Sequence, residues 1–101
     1  MRESEVEAYL VRKVKELGGV TRKIKWIGRR GAPDRFVMLD GGFFVETKAT
    51  GKKLRPEQEK EISIMRKAGV RVWVVDSLIS VDVCLGLEPR TAARGMLVDG
   101  P

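Results

Sequence analysis

The chain has 101 residues, 43% hydrophobic and 34% charged, which fits one globular domain with a single modest core. It has no histidine and one cysteine, Cys84, which excludes imidazole-based catalysis, the usual zinc cages and an internal disulfide. The formal charge of +6, from 20 Lys and Arg against 14 Asp and Glu, favours a polyanionic partner.

No apolar run approaches the length of a membrane span, and the start, Met1-Arg2-Glu3-Ser4-Glu5, lacks the apolar core of a signal peptide. A cytoplasmic protein is expected. Residues 4 to 17 read as a helix with Ser4 as its cap and Glu7 completing a capping box. Val6, Leu10, Val14 and Leu17 form its apolar stripe, which Glu7 borders, and Gly18-Gly19 ends it. Val20 to Ile27 alternates charged and apolar residues like a short strand, and Gly28-Arg29-Arg30-Gly31 is a basic loop.

Gly31-Ala32-Pro33-Asp34 then leads into two strands, Arg35 to Leu39 and Phe43 to Ala49, joined at Asp40-Gly41-Gly42. Alternation puts Glu46 and Lys48 on one face, amid residues that normally sit inside. A carboxylate and an ammonium there are costly unless paired or bound to something. A three-residue loop would pair Leu39 with Phe43 and set Asp34 opposite Lys48, with Glu46 on the diagonal, roughly 7–8 Å away. Asp34 and Glu46 could then hold one small divalent ion from both sides, with Lys48 beside it. A two-residue loop at Asp40-Gly41 would put the two carboxylates on opposite faces.

Pro56 opens a second helix that runs to about Ala68 and ends at Gly69, with Ile62 and Met65 facing inward. Gln58 falls at the top of that inward stripe, where a glutamine is either a solvated first-turn residue or part of a site. Val70 to Val75 is the most hydrophobic strand, and with the preceding strand and helix it forms a β-α-β unit with parallel strands. Ser77 to Leu87 fits either a short helix capped by Ser77 or another strand. Trp26 and Trp73 read as core residues. Residues 1–87 are expected to form the domain and 88–101 a mobile tail or an arm that docks on a partner.

The cations cluster around the carboxylates. Arg22, Lys23, Lys25, Arg29, Arg30 and Arg35 precede or flank Asp34, while Lys52, Lys53 and Arg55 follow the Glu-Thr-Lys strand. Groups of this kind suit phosphate contacts and salt-sensitive nucleic-acid binding.

Helix with Glu7, Gly-Ala-Pro-Asp34, Glu46-Thr47-Lys48, then a helix beginning near Gln58: this order resembles the PD-(D/E)xK nuclease superfamily. Within it, the chain resembles the VRR-NUC (virus-type replication-repair nuclease) domain of the stand-alone phage or bacterial type, over about Glu5 to Asp76. The resemblance implies an α/β fold with a restriction-endonuclease-like core. That core is a small mixed sheet of about four strands flanked by helices, in α-β-β-β-α-β order.

It also implies a DNA endonuclease that depends on Mg²⁺ or Mn²⁺ and leaves a 5′-phosphate and a 3′-hydroxyl. Asp34, Glu46 and the Thr47 carbonyl would hold the ion, and Glu7 would assist through water or a second ion. Lys48 would act on the attacking water, and Gln58 would position Lys48 or the water. By the same resemblance the chain would be a homodimer acting on branched DNA like a Holliday-junction resolvase, in a bacterium or in a phage-infected host's cytoplasm. No organic cofactor is implied. An alternative is a non-catalytic nucleic-acid-binding module in which Asp34, Lys48 and Glu46 form a structural ion cluster. A third is a small subunit that binds protein through its apolar tail.

Overall fold

Strands buried or half-buried on both faces, and helices with one apolar stripe, make a sheet covered on both sides. A computed structural model describes residues 1–87 in the order α1 (Glu3–Glu16), β1 (Val20–Lys23), β2 (Arg35–Met38), β3 (Phe43–Thr47), α2 (Pro56–Lys67), β4 (Val72–Val75) and α3 (Leu78–Cys84). The expected tail, 88–101, lies outside the described residues. The strands form one sheet in the order β1-β2-β3-β4, antiparallel at β1-β2 and β2-β3 and parallel at β3-β4. The mixed sheet and the β-α-β unit are therefore as expected. No helix among the described residues is long and apolar enough to cross a membrane.

The two sheet faces have separate cores. On one, Val6, Leu10 and Val14 of α1 meet Val37, Phe43, Val45 and Val75 of the sheet and Val81 and Cys84 of α3. On the other, Ile62 and Met65 of α2 meet Val72, with Phe44, Val74 and Trp26 packed around them. Both tryptophans are half-buried against these cores, as the sequence indicates.

Two local expectations need correction, and one left open is decided. The first helix starts earlier: Arg2 is its cap residue, and the Arg2 N–H donates to Glu5 Oε1 at 2.9 Å, so Ser4 lies inside the helix and caps nothing. β1 ends at Lys23, because the chain turns away through the 24–34 loop rather than continuing to Ile27. The segment after β4 is helix α3, whose Ser77 Oγ accepts the Ser80 N–H at 3.0 Å. That cap outweighs the alternation of Ile79, Val81, Val83 and Leu85, which suits a strand equally well.

The β2–β3 turn also differs. Val37 opposes Phe43, so five residues, Met38 to Gly42, make the connection, and Leu39 does not pair with Phe43. Three consecutive positive φ angles, 50° at Asp40, 103° at Gly41 and 124° at Gly42, widen the turn. A Cβ at Gly42 would lie 2.9 Å from the Phe36 ring, so glycine is required there. The Arg71 guanidinium closes the turn by donating to the carbonyls of Asp40 and Gly42 at 3.1 and 3.3 Å.

Leu10 is fully buried between α1, the sheet and α3. Leu10→Ala should lower the unfolding free energy by about 2–5 kcal/mol. Leu17→Ala, at the exposed end of the same stripe, should change it by less than about 1 kcal/mol. Urea denaturation of the two variants checks the assignment of the inward face.

Candidate active site

Asp34 owes its position to the loop before it. The Ile24 N–H donates to the Asp34 carbonyl at 2.7 Å, extending the β1–β2 ladder one step past its end. Pro33 is buried, and its carbonyl accepts the Trp26 Nε1–H at 2.6 Å. Gly31 has φ +81°, and a Cβ there would lie 2.3 Å from the Glu57 carbonyl oxygen. Only glycine lets the loop lie directly on the first turn of α2. Together these contacts bring Asp34 beside Gln58.

The wider turn shifts the β2–β3 register by two residues from the expected pairing. Arg35 opposes Val45, and one further step along the ladder sets Asp34 across from Glu46 rather than Lys48. The shift is even, so the two carboxylates keep one face, and direct opposition brings them closer than the diagonal would. That face is the one covered by α2.

Gln58 is buried and uses both ends of its amide. Its Nε2–H donates to Glu46 Oε2 at 3.0 Å, and its Oε1 accepts the Arg55 N–H at 2.9 Å. A solvated first-turn role is thereby excluded. Lys48 is also buried, 8% exposed, one step of alternation beyond Glu46. Asp34, Glu46, Lys48, Gln58, Arg55 and Glu3 converge on one polar cleft of about 220 Å³.

The electrostatics of this cleft are unbalanced. Burial, and then the negative charge of Asp34, push the Glu46 carboxyl up to about 7, against an opposing pull from Lys48. No ion pair among the described residues joins Lys48 to either carboxylate. The oxygen donors present, two facing carboxylates with the Thr47 backbone between Glu46 and Lys48, suit a hard cation. Among the described residues, no three His, Cys, Asp or Glu side chains form a ready-made metal cage. An open set of two carboxylates fits an ion that retains several waters.

Glu7 is not brought into this cleft. Arg35 Nη2 donates to Glu7 Oε2 at 2.7 Å, and Lys23 Nζ lies 3.6 Å from the same oxygen. The reason is alternation: Asp34 and Arg35 are consecutive, so they serve opposite faces, and Glu7 pairs with Arg35 on the α1 face. Glu3, one helical turn earlier, lines the cleft instead. Arg35 and Lys23 are accordingly engaged within the fold. Arg29 is too, since its guanidinium holds the buried Glu61 of α2. Arg22, Lys25, Arg30, Lys52, Lys53 and Arg55 are exposed.

Burial pushes the Glu7 carboxyl up, but the Arg35 hydrogen bond and charge, with Lys23 behind them, hold it below its ordinary 4.5. A depressed native value means the contribution is complete above 4.5 and is lost as the pH falls through that native value. Glu7→Gln should therefore be less stable than wild type by about 1–2 kcal/mol at neutral pH, with the gap closing as the pH falls through the depressed native value. Denaturant titrations across that range check it. A gap independent of pH would contradict the pairing.

No protein-family model matches the chain. A relative, "Putative nuclease p44" of Acyrthosiphon pisum secondary endosymbiont phage 1, is 43% identical over 79 residues, covering 76% of this chain and 85% of the relative. A solved structure described as "VRR_NUC domain" matches with a TM-score of 0.75 at 38% identity, covering 83% of this chain and 94% of that one. Such identity over most of both lengths, on the same α/β sheet framework, means that the chain belongs to the VRR_NUC family of nucleases.

Proposed function

We propose that this nuclease is a DNA endonuclease dependent on Mg²⁺ or Mn²⁺, and that it cuts branched DNA as a homodimer, in the manner of a Holliday-junction resolvase. The observation that carries the reading is the cleft itself. Asp34 and Glu46 face each other across two strands, with Lys48 buried alongside and unpaired to either. A structural ion cluster would join Lys48 to a carboxylate, and no such pair occurs among the described residues.

Asp34, Glu46 and the Thr47 carbonyl would hold the ion, and Glu3 takes the place at the cleft expected for Glu7. Such an ion supplies Lewis acidity and charge neutralisation for phosphodiester hydrolysis. The remaining work belongs to the chain. The buried Lys48 ammonium would orient the attacking water and offset charge that builds on the phosphoryl oxygens. Gln58 fixes the Glu46 carboxylate in one rotamer by tying it to the first turn of α2. Arg55, on the cleft wall, faces the substrate's backbone. Lys25, Arg30, Lys52 and Lys53 supply phosphate contacts that position a strand without reading its sequence. A chain this small has little surface for reading bases, whereas two copies about a two-fold axis can engage two strands at once.

The test is cleavage of labelled four-way junction, flap, single-stranded and duplex DNA with Mg²⁺, Mn²⁺ or EDTA. Wild type should nick the junction symmetrically with either metal and not in EDTA. Asp34→Ala and Lys48→Ala should each lose roughly 100-fold or more while remaining folded. Glu3→Gln should slow cutting, and Glu7→Gln should act through stability alone. Cutting of flaps or single strands without junction cutting would remove the resolvase assignment. Binding with no cutting under any metal would remove the catalytic one.

A further inference from the structure

The segment between β1 and β2, residues 24–34, is held at three points. Trp26 Nε1–H donates to the Pro33 carbonyl across the neck of the loop at 2.6 Å. Arg29 is fastened to buried Glu61 of α2. Gly31 lies on the Glu57 backbone, with no room for a side chain. A loop clamped in this way presents its tip in one arrangement. That tip is Ile27, 93% exposed, whereas every other exposed large hydrophobic among the described residues lies between 39% and 47%. Partly exposed apolar residues are ordinary on protein surfaces. Full exposure of an isoleucine at the end of a clamped loop is not explained by the packing.

Its surroundings say what it faces. A basic depression of about 500 Å³ is lined by Lys23, Lys25, Trp26 and Arg29, and it shares Gly31, Ala32 and Asp34 with the polar cleft. A strand whose phosphate sits near Asp34 would pass along this depression by Lys25 and Trp26, next in the chain to Ile27. Lys25 and Arg30 match phosphates, but Ile27 between them matches nothing on a nucleic-acid backbone. It matches the face of a base. Apolar side chains that enter a base step unstack it, and the cost is least where pairing is already interrupted.

We propose that Ile27 is a wedge that packs against the base beside the cut, at the point where the strands of a branched substrate part. The inference rests on the nuclease reading of the cleft and adds to it the element that recognises the branch. Lys25 and Arg30 hold the flanking phosphates, and the clamps at Trp26, Arg29 and Gly31 keep the tip from folding back.

The test uses the full chain and a four-way junction carrying 2-aminopurine next to the branch, first in EDTA for binding and then with Mg²⁺ for cutting. Wild type should raise the 2-aminopurine fluorescence on binding. Ile27→Ala should keep the wild-type melting temperature and bind at low salt within about threefold, since phosphate contacts dominate there. It should lose the fluorescence rise and cut the junction about tenfold more slowly. Ile27→Phe should restore both. Wild-type binding without a fluorescence rise, or Ile27→Ala indistinguishable from wild type, would overturn the wedge and leave the nuclease reading intact. Sedimentation showing that Ile27→Ala turns a dimer into a monomer would overturn it in favour of a subunit contact. If wild type neither binds nor cuts any of the DNAs, both readings fail together.

Discussion

Two like charges held across adjacent strands are the constraint on which this structure turns. Burial, and after it the negative charge of Asp34, disfavour the charged form of Glu46, and the fold accepts that cost. Everything near the cleft serves to keep the pair together. The β2–β3 ladder fixes the opposition, the glycine contact at Gly31 presses the incoming loop onto α2, and Gln58 donates a hydrogen bond to the Glu46 carboxylate. The sheet beneath is conventional, with valine-rich strands between two small cores. The tension is confined to one end of it.

The surface cations divide by what they are spent on. Arg35 and Lys23 neutralise Glu7, and Arg29 neutralises Glu61, so these three stabilise the fold around the cleft. The excess positive charge left at the surface comes from residues without such partners in the interior, Lys25, Arg30, Lys52 and Lys53 among them. A basic run in a sequence therefore mixes two populations. Only the topology separates them, because consecutive residues on a strand face different layers.

Much of this was legible in the residues. Alternation placed Glu46 and Lys48 on one face, and the β-α-β unit followed from the apolar strand after α2. Both depend on local periodicity, which tertiary packing seldom overrides. What was not legible depends on counting. The turn at Asp40-Gly41-Gly42 took five residues because glycine permits positive φ without specifying how many neighbours leave the ladder. The start of α1 is ambiguous in the sequence because a serine three residues before a glutamate has the form of a capping box, whereas in the fold the backbone of Arg2 takes that role. Glu3, one turn before Glu7 on the same helix, lines the cleft, while Glu7 pairs with Arg35. Ile27 gave no signal at all, since full exposure is a property of the loop's anchors and not of its own neighbours in the chain.

The adjacency of Asp34 and Arg35 has a bearing on how such a chain can change over generations. One residue supplies the cleft beneath α2 and the next supplies the ion pair beneath α1. Loss or gain of a single codon within β2 would exchange them, presenting a guanidinium to the cleft and a carboxylate to Glu7. Neither layer would tolerate the swap. The strand must therefore be inherited whole.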